Sequence, residues 1–439
     1  MNDFFKKIYH FFIAYASYWY YGRPSRKLIV IGVTGTKGKS TTCRLIASVL
    51  EAGGHKVGLF STVEFQIGEK RWANVKKMTM LGRGLIQKMF KEMVDAGCHY
   101  VVVETSSEGI LQFRHVGLNY DIVEFTNLGT EHSERHGGFE NLKRDKGKIF
   151  AGLQSKMHKK INGQIIPKII VANLDDVSVD YYLGSDVDQK YGYTLKNTRL
   201  MNYFGIKTFD AKILSTVEKG MEFSVEDKLF SIDLIGAFNV YNAMAAVCVG
   251  KSQGIADDKI ALGLKKVSLV EGRIEFIEEG QKFKVVVDYA HEPLSLNELF
   301  KTLREVFIFP YKNEQRQLIG VVGSDGGGRD TGKRERMGGI SGELCDIVVI
   351  TDVNCFDEDP AKIAEMLAVG ARKHGKKDGE NLFIEVDRRK GMEKAISLAC
   401  PGDVVVFTAK GTEPCIVQAG GKRTPWDDRQ VAREILRSL

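Results

Sequence analysis

The 439-residue chain contains no C-x-x-C pair and no His–Cys cluster, and its seven cysteines (Cys43, Cys98, Cys248, Cys345, Cys355, Cys400, Cys415) form an odd set. This argues against structural zinc and for a reducing compartment, so the chain is expected to be cytoplasmic. No apolar run approaches the roughly 20 residues that a membrane-spanning helix needs. There are no low-complexity segments, no short-period repeats and no motif that reads a nucleic-acid groove. The net charge of +7 is modest for this length and spread along the chain. It disfavours nucleic acid and leaves polyanionic small molecules open.

What is present describes an ordinary globular protein, with 43% hydrophobic and 27% charged residues and room for two or three domains. The chain turns on Gly35-Thr36-Lys37-Gly38-Lys39-Ser40-Thr41, between the apolar run at 27–31 and a helical stretch at 42–52. Glycines let backbone N–H groups close around phosphate, Lys39 neutralises it, and the Ser40 hydroxyl can hold Mg²⁺. The usual spacing G-x-x-x-x-G-K-[ST] wants a glycine where Val33 stands, so this loop is a shortened variant. The bland alternative is a glycine turn; strand, loop and helix in the right order favour the phosphate cradle.

From residue 27 strands and helices alternate, the pattern of a largely parallel sheet covered by helices. Strands are expected at 56–62, at 100–103 with Glu104 at the carboxyl end, and at 120–128 with Asn127 near the end. Helices are expected at 84–98 and from about 138 to 153. Ligand crevices lie at the carboxyl ends of such strands, so the phosphate loop, Glu104, Asn127 and the histidines of 129–138 should converge. Residues 186–235 read as an antiparallel flank, and 241–250 as helix. A boundary near Leu269-Val270-Glu271-Gly272-Arg273 opens a second alternating unit, with strands at 285–288, 318–323, 347–352, 382–386 and 404–408. The expected division is 1–26, 27–268 and 269–439.

The first 26 residues stand apart. From Ile8 to Tyr21 there is no Asp, Glu, Lys or Arg, and aromatics are dense. Lys6-Lys7, the apolar run and Ala14-Tyr15-Ala16 mimic a signal peptide, a reading rejected because a nucleotide site begins soon after. The alternatives are a helix docked on the protein's own core and peripheral membrane contact through residues 8–21.

Chemistry-bearing side chains cluster around Asn127, Glu131, His132 and His136. The i,i+4 spacing of His132 and His136 is a weak zinc signal, because the H-E-x-x-H glutamate is missing. Lys143, Arg144, Lys146 and Lys148 are by default a solvated helix face. Their place after the loop raises the expectation that one lysine faces inward.

GVTGTKGKSTT (32–42), ETSSEG (104–109), FTNLGTEHSERHGG (125–138), ENLKRDKGKIF (140–150), GAFNVYNAMAA (236–246), GRIE (272–275), VVVDYAHEP (285–293), GSDGGGRDTGKR (323–334) and PGDVVVFTAKGTE (401–413) together resemble the Mur ligase family. The resemblance implies a phosphate-loop, parallel-sheet ATPase domain followed by a Rossmann-like domain. It also implies an ATP-dependent ligase that activates a carboxylate of a cell-wall peptide precursor as an acyl phosphate and joins it to an amino acid. On the family pattern ATP and Mg²⁺ are held by residues 35–41. Ser40, Glu104, His132 and a carbamylated Lys146 are the metal ligands, and Lys39, Glu104, His132 and Lys146 the catalytic set. Asn242, Arg273 and Asp288 would also meet ATP. Thr79, Ser106, His291, Arg329, Asp330, Lys333, Arg334 and Glu413 would bind substrates. A monomer is expected.

This sequence departs from the family in several places. Only 26 residues precede the first strand, where this branch carries a uridine-binding domain. T-T-P appears as Met78-Thr79-Met80-Leu81, S-S-H as Ser106-Ser107-Glu108, the D-H pair as Glu131-His132, D-N-P-R as Val353-Asn354-Cys355-Phe356, and G-K-G-H-E as Ala409-Lys410-Gly411-Thr412-Glu413. Losing the arginine removes a bidentate partner for a second carboxylate, which disfavours diaminopimelate as the incoming amino acid. Two rival readings stand beside this one. One is a ligase outside the cell wall, resembling folylpolyglutamate or cyanophycin synthetases; the other is an ATP-binding partner subunit that ligates nothing.

Overall fold

A computed structural model of the chain describes residues 3–76, 78–129, 136–154, 158–196, 205–328 and 330–439. It divides into two compact units, 1–268 and 269–439. The first unit carries strands β1 (Ile29–Thr34), β2 (Val57–Phe60), β3 (Glu64–Ile67), β4 (Lys70–Ala73), β5 (Tyr100–Glu104) and β6 (Ile122–Phe125). A hairpin of β7 (Lys159–Ile161) and β8 (Gln164–Ile166) follows, then β9 (Ile169–Asn173), β10 (Gln189–Thr194), β11 (Lys207–Val217), β12 (Gly220–Val225) and β13 (Lys228–Ile232). Its helices are α1 (Asp3–Tyr20), α2 (Lys39–Ala52), α3 (Arg83–Asp95), α4 (Ser107–Leu111), α5 (Phe139–Ala151), α6 (Val179–Leu183), α7 (Ala237–Ser252) and α8 (Asp257–Lys265).

All but the hairpin join one sheet in the order β13-β12-β11-β10-β9-β6-β1-β5-β2-β3-β4. The run from β11 to β2 is parallel throughout. Here the reading of 186–235 as an antiparallel flank needs correction: β10 pairs in parallel with both β9 and β11, and only β11, β12 and β13 pair antiparallel. The alternating run that suggested a flank, Met221-Glu222-Phe223-Ser224-Val225, lies on β12 and does pair antiparallel; the pattern does not extend to β10, which is covered on both faces. β1 lies between β5 and β6, both later in sequence. The crossover from β1 runs past β5 to β2, and the crossover from β5 runs back past β1 to β6, so the two diverge beside β1 and open a crevice at its carboxyl end.

The central strands read as continuous Val/Ile runs because both faces are covered; Val101, Val102 and Val103 are all fully buried. α7 is buried along most of its length, and its small residues Ala243, Ala245, Ala246 and Gly250 allow close approach. A Cβ on Gly250 would come within 2.9 Å of Val49 on α2. α1 docks through Ala14 and Tyr18. The Tyr18 hydroxyl accepts from Asn119 at 3.1 Å, and Phe11 meets Phe113 edge-on at 5.7 Å.

Within this sheet Glu124 on β6 is fully buried, and its Oε1 accepts from the Tyr193 hydroxyl at 2.8 Å while Oε2 has no partner among the described residues. Burial raises its pKa from 4.5 to about 8, with the Tyr193 hydrogen bond opposing. Between those values the folded chain holds a proton that the unfolded chain has released, so stability falls as pH rises through this window. Glu124→Gln removes that slope. Urea unfolding at pH 5 and pH 7 is expected to show the wild type losing about 2 kcal/mol relative to the variant. Equal slopes would contradict it.

The second unit carries β14 (Glu275–Phe276), β15 (Lys284–Val287), α9 (Pro293–Leu303), β16 (Leu318–Val322), α10 (Gly332–Leu344), β17 (Ile347–Ile350), α11 (Pro360–Lys373), β18 (Leu382–Ile384), α12 (Arg388–Ser397) and β19 (Val404–Phe407). A hairpin of β20 (Cys415–Val417) and β21 (Arg423–Pro425) precedes α13 (Asp428–Arg437). The sheet order is β14-β15-β19-β16-β17-β18, parallel except for β14. Its core joins β15, β16, β17 and β19 to α12 and α13.

Candidate active site

The β1–α2 loop is fixed from the β6 side. The Thr36 N–H donates to the Asn127 carbonyl at 2.8 Å, the Lys37 N–H to the Asn127 side-chain oxygen at 2.9 Å, and Thr126 Oγ1 to the Lys37 carbonyl at 2.8 Å. Gly35 has φ +150 and Gly38 φ +81; a Cβ would lie 1.9 Å from Thr126 Oγ1 or 2.3 Å from Asn242 Oδ1. Only glycine fits at either place. Gly38 precedes α2 without a side-chain cap, so the first-turn N–H groups of Lys39, Ser40 and Thr41 are disposed for an anion. Lys39 Nζ meanwhile donates to the Thr36 carbonyl at 2.7 Å.

Glu104 ends β5 and is buried. Its Oε2 accepts from Ser40 Oγ at 2.8 Å and from the Thr62 N–H at 2.7 Å, and its Oε1 accepts from Thr62 Oγ1 at 2.9 Å. Thr62 Oγ1 also lies 2.9 Å from Thr79 Oγ1. Thr62 is thus the link between Glu104 and Thr79, and sequence reasoning missed it although it stands just beyond a strand end. Ser40 and Glu104 offer neighbouring oxygen donors of the kind Mg²⁺ takes, beside the glycine loop and the α2 N-terminus. Among the described residues no three His, Cys, Asp or Glu side chains gather as a metal cluster.

Of the four cations on α5, Lys146 is the one turned inward: it is 3% exposed and its Nζ donates to the Gly35 carbonyl at 2.8 Å. Lys148 pairs with Asp145 at 2.6 Å, Arg144 donates to Asn141, and Lys143 lies over the Tyr181 ring. His136 uses both ring nitrogens within the protein, Nδ1 at 2.7 Å from Asp145 and Nε2 at 3.1 Å from Ser107 Oγ. That leaves no nitrogen for zinc. Burial opposes the Asp145 charge, but hydrogen bonds from His136 and Lys148 hold its pKa below the usual range. Glu131, His132 and Arg329 lie outside the described residues.

Asn242, on α7, accepts from Thr42 Oγ1 at 3.1 Å and donates to Asn239 at 3.0 Å, directly against the phosphate loop. Ser106 caps α4 by accepting from the Gly109 N–H at 3.2 Å. Around it lie side chains that sequence reasoning passed over. Arg114 donates to the Met80 carbonyl and, at 2.6 Å, to Gln112; Arg83 donates to the Gln112 carbonyl. The Nε atoms of Arg83 and Arg114 are buried without a partner among the described residues.

In the second unit the remaining candidates gather at the carboxyl edge of its sheet. Asp288 accepts from the Ile274 and Ala290 N–H groups at 2.8 and 2.6 Å, and Arg273 stacks 4.5 Å over Tyr289. Lys333 Nζ pairs with Glu292 at 2.5 Å and donates to the His291 carbonyl at 3.2 Å. Arg334 is buried, pairs with Glu358 at 2.9 Å and donates to the Asp325 carbonyl at 3.1 Å. Glu413 accepts from Lys410 at 2.8 Å and from Asn354 at 3.2 Å, and Asn354 also donates to Asp325 at 2.8 Å. Asp330 stands 3.9 Å from Arg336.

Residues 33–250 match the family described as Mur ligase middle domain, and 272–411 match Mur ligase, glutamate ligase domain. The chain is 35% identical to a UDP-N-acetylmuramyl-tripeptide synthetase of Roseiflexus sp. (strain RS-1), over 96% of this chain and 81% of that one. It is 34% identical to the UDP-N-acetylmuramoyl-L-alanyl-D-glutamate–2,6-diaminopimelate ligase of Geobacillus kaustophilus, over 94% and 80%. A solved structure of an enzyme with that same activity name superposes with TM-score 0.60 at 27% identity, covering 94% of this chain and 78% of its own. Mycobacterium tuberculosis folylpolyglutamate synthase complexed with ADP, 17% identical, shares the fold at TM-score 0.65 over 91% of each chain. With the matches running through both units, the chain belongs to the Mur ligase family of ATP-dependent, ADP-forming amide ligases.

Proposed function

We propose that this ligase extends a muramyl-peptide precursor of the cell wall by one amino acid, in the cytoplasm and as a monomer. The observation that carries the reading is the Ser40–Glu104–Thr62–Thr79 chain beside the phosphate cradle, with Lys146 buried on the Gly35 carbonyl. A substrate carboxylate oxygen attacks the γ-phosphorus of ATP, the bond to the bridging oxygen breaks, and ADP leaves. The amine nitrogen then attacks the acyl carbon, phosphate departs with the C–O electron pair, and the nitrogen loses a proton.

Both partners of the first step are anionic, so catalysis is mainly charge neutralisation and positioning. Mg²⁺ would supply part of that neutralisation, with Ser40 and Glu104 as its protein donors. Lys39 is placed to leave the Thr36 carbonyl for phosphate, and the α2 N–H groups add fixed partial charge. Thr79, Ser106, Gln112 and Arg114 line the end of the first unit that we assign to the acid. Lys333, Arg334, Asp330 and Glu413 are assigned to the incoming amino acid.

Every cation named in that second set already faces a protein acid or carbonyl, and Phe356 stands where an arginine would grip a second carboxylate. We therefore favour an amino acid with a single carboxylate over diaminopimelate. ADP release measured over a panel of amino acids and UDP-muramyl-dipeptide is expected to rise with a monocarboxylic amine at least about tenfold more than with diaminopimelate, the scale of one lost charged hydrogen bond. Preference for diaminopimelate would overturn the specificity. Turnover only with folyl or aspartyl acids would overturn the cell-wall assignment.

A further inference from the structure

Helix α1 is built unlike a helix that faces only water. A surface helix turns charged residues outward, yet from Ile8 to Gly22 this segment carries no Asp, Glu, Lys or Arg. Tyr9, Phe12, Trp19 and Tyr20 are 56%, 66%, 61% and 83% exposed. At 3.6 residues per turn they share one side with Ala16, while Ala14 and Tyr18 fall on the other side and are buried. Four large rings on one face keep most of their apolar surface in water unless something covers them.

The charges around the rings say what kind of surface does. Asp3 is the only acid in the first 50 residues, whereas Lys6, Lys7, Arg23, Arg26 and Lys27 bracket the aromatic run at both ends. Arg23, Arg26 and Lys27 are exposed, and Arg23 sits 4.5 Å over the Trp19 ring. Tyrosine and tryptophan at headgroup depth with lysine and arginine beside lipid phosphates is the chemistry of a membrane interface. No helix among the described residues is long and apolar enough to cross a membrane, so α1 would lie in the interfacial plane.

We propose that α1 is an interfacial anchor that seats the first unit on an anionic phospholipid surface through Tyr9, Phe12, Trp19 and Tyr20. Its position gives the anchor a purpose. Phe11 packs on Phe113, between Gln112 and Arg114, and a Cβ on Gly84, next to Arg83, would lie 3.6 Å from Ser17 Oγ. The anchor therefore adjoins the rim assigned above to the acid, and in that respect the inference rests on the proposed function: an acid carried on the membrane would arrive at this rim. The seating itself is independent of which acid is activated.

The test uses the full chain with Trp72→Phe and Trp426→Phe, which leaves Trp19 as the sole indole. Vesicles of phosphatidylglycerol and phosphatidylcholine are compared with phosphatidylcholine alone at about 0.15 M salt. The Trp19 emission is expected to shift to the blue and the protein to sediment with the anionic vesicles, at least about tenfold more tightly than with the neutral ones. Phe12→Ser with Tyr20→Ser, both exposed positions, should weaken partition about tenfold or more while ATP turnover on a water-soluble acceptor is unchanged. Arg23→Glu with Arg26→Glu should remove the preference for anionic lipid. An unshifted Trp19, partition that ignores these substitutions, or a dimer that the Ser substitutions dissolve would overturn the proposal. Turnover is read separately, so failure of the ligase reading would leave the vesicle result standing.

Discussion

Lys146→Ala is expected to lower ligation at least about a hundredfold, the scale of losing one preorganised charge at a reaction centre, while ATP affinity changes by less than about threefold. The separation follows from where the side chain sits. Its Nζ is buried on the Gly35 carbonyl at the edge of the loop, whereas the groups we assign to phosphate are the α2 N–H groups, Lys39 and Ser40. If the ammonium only pinned the loop, nucleotide binding and ligation would fall together. We further propose that this lysine reacts with dissolved CO₂: the ammonium first loses a proton, the freed amine nitrogen bonds to carbon, and a second proton leaves, so that a cation becomes an anion of the kind that would ligate Mg²⁺. Acid reverses that addition, so bicarbonate should raise wild-type turnover at low pH and leave the variant unmoved. Stopped ADP release and equilibrium titration with an ATP analogue read the two effects apart. Full activity of the variant would remove Lys146 from the catalytic set.

The parallel core was legible in the sequence because burial on both faces writes itself as unbroken Val/Ile runs, as at Tyr100-Val101-Val102-Val103 and Val404-Val405-Val406. Direction of pairing was not: the alternation at 221–225 belongs to antiparallel β12, whereas β10, in the same stretch of chain, pairs in parallel on both sides. The cradle was legible from its glycines. Its clamp was not, because Thr126 and Thr62 are ordinary threonines until the fold sets their hydroxyls against Lys37 and Glu104. The place of Ala409 could mislead in the other direction. It stands where the family pattern has glycine, yet its φ of +77 keeps the glycine-like turn, and Ile274 and Phe356 at φ +46 and +51 are held the same way near the same sheet edge. Non-glycine residues in that region cost about 1–3 kcal/mol each and persist where the surroundings over-determine them.

Those surroundings in the second unit include a buried ion pair, and Asp428→Ala is expected to destabilise that unit by about 3–5 kcal/mol, the cost of stranding a buried charge. Arg388 is 3% exposed and Asp428 is fully buried. Arg388 Nε and Nη2 donate to the two Asp428 oxygens at 2.8 and 2.6 Å, and Trp426 Nε1 donates to the same carboxylate at 2.7 Å. The guanidinium also donates to the Thr408 carbonyl at 2.7 Å and to Thr351 Oγ1 at 3.0 Å. It thereby ties the ends of β17 and β19, the strands that lead to Asn354 and to Lys410 and Glu413. Removing the carboxylate leaves the arginine in place without its counter-charge, whereas Arg388→Met with Asp428→Leu removes both charges and is expected to cost far less. Urea unfolding of the full chain with Trp19→Phe and Trp72→Phe, which leaves Trp426 as the reporter, distinguishes the Arg388→Met/Asp428→Leu pair from the single variant. A single-variant loss below about 1 kcal/mol, the range of an exposed pair, would mean that the guanidinium is served by its other partners, and the strand ends should then keep the Lys410–Glu413 contact without Asp428.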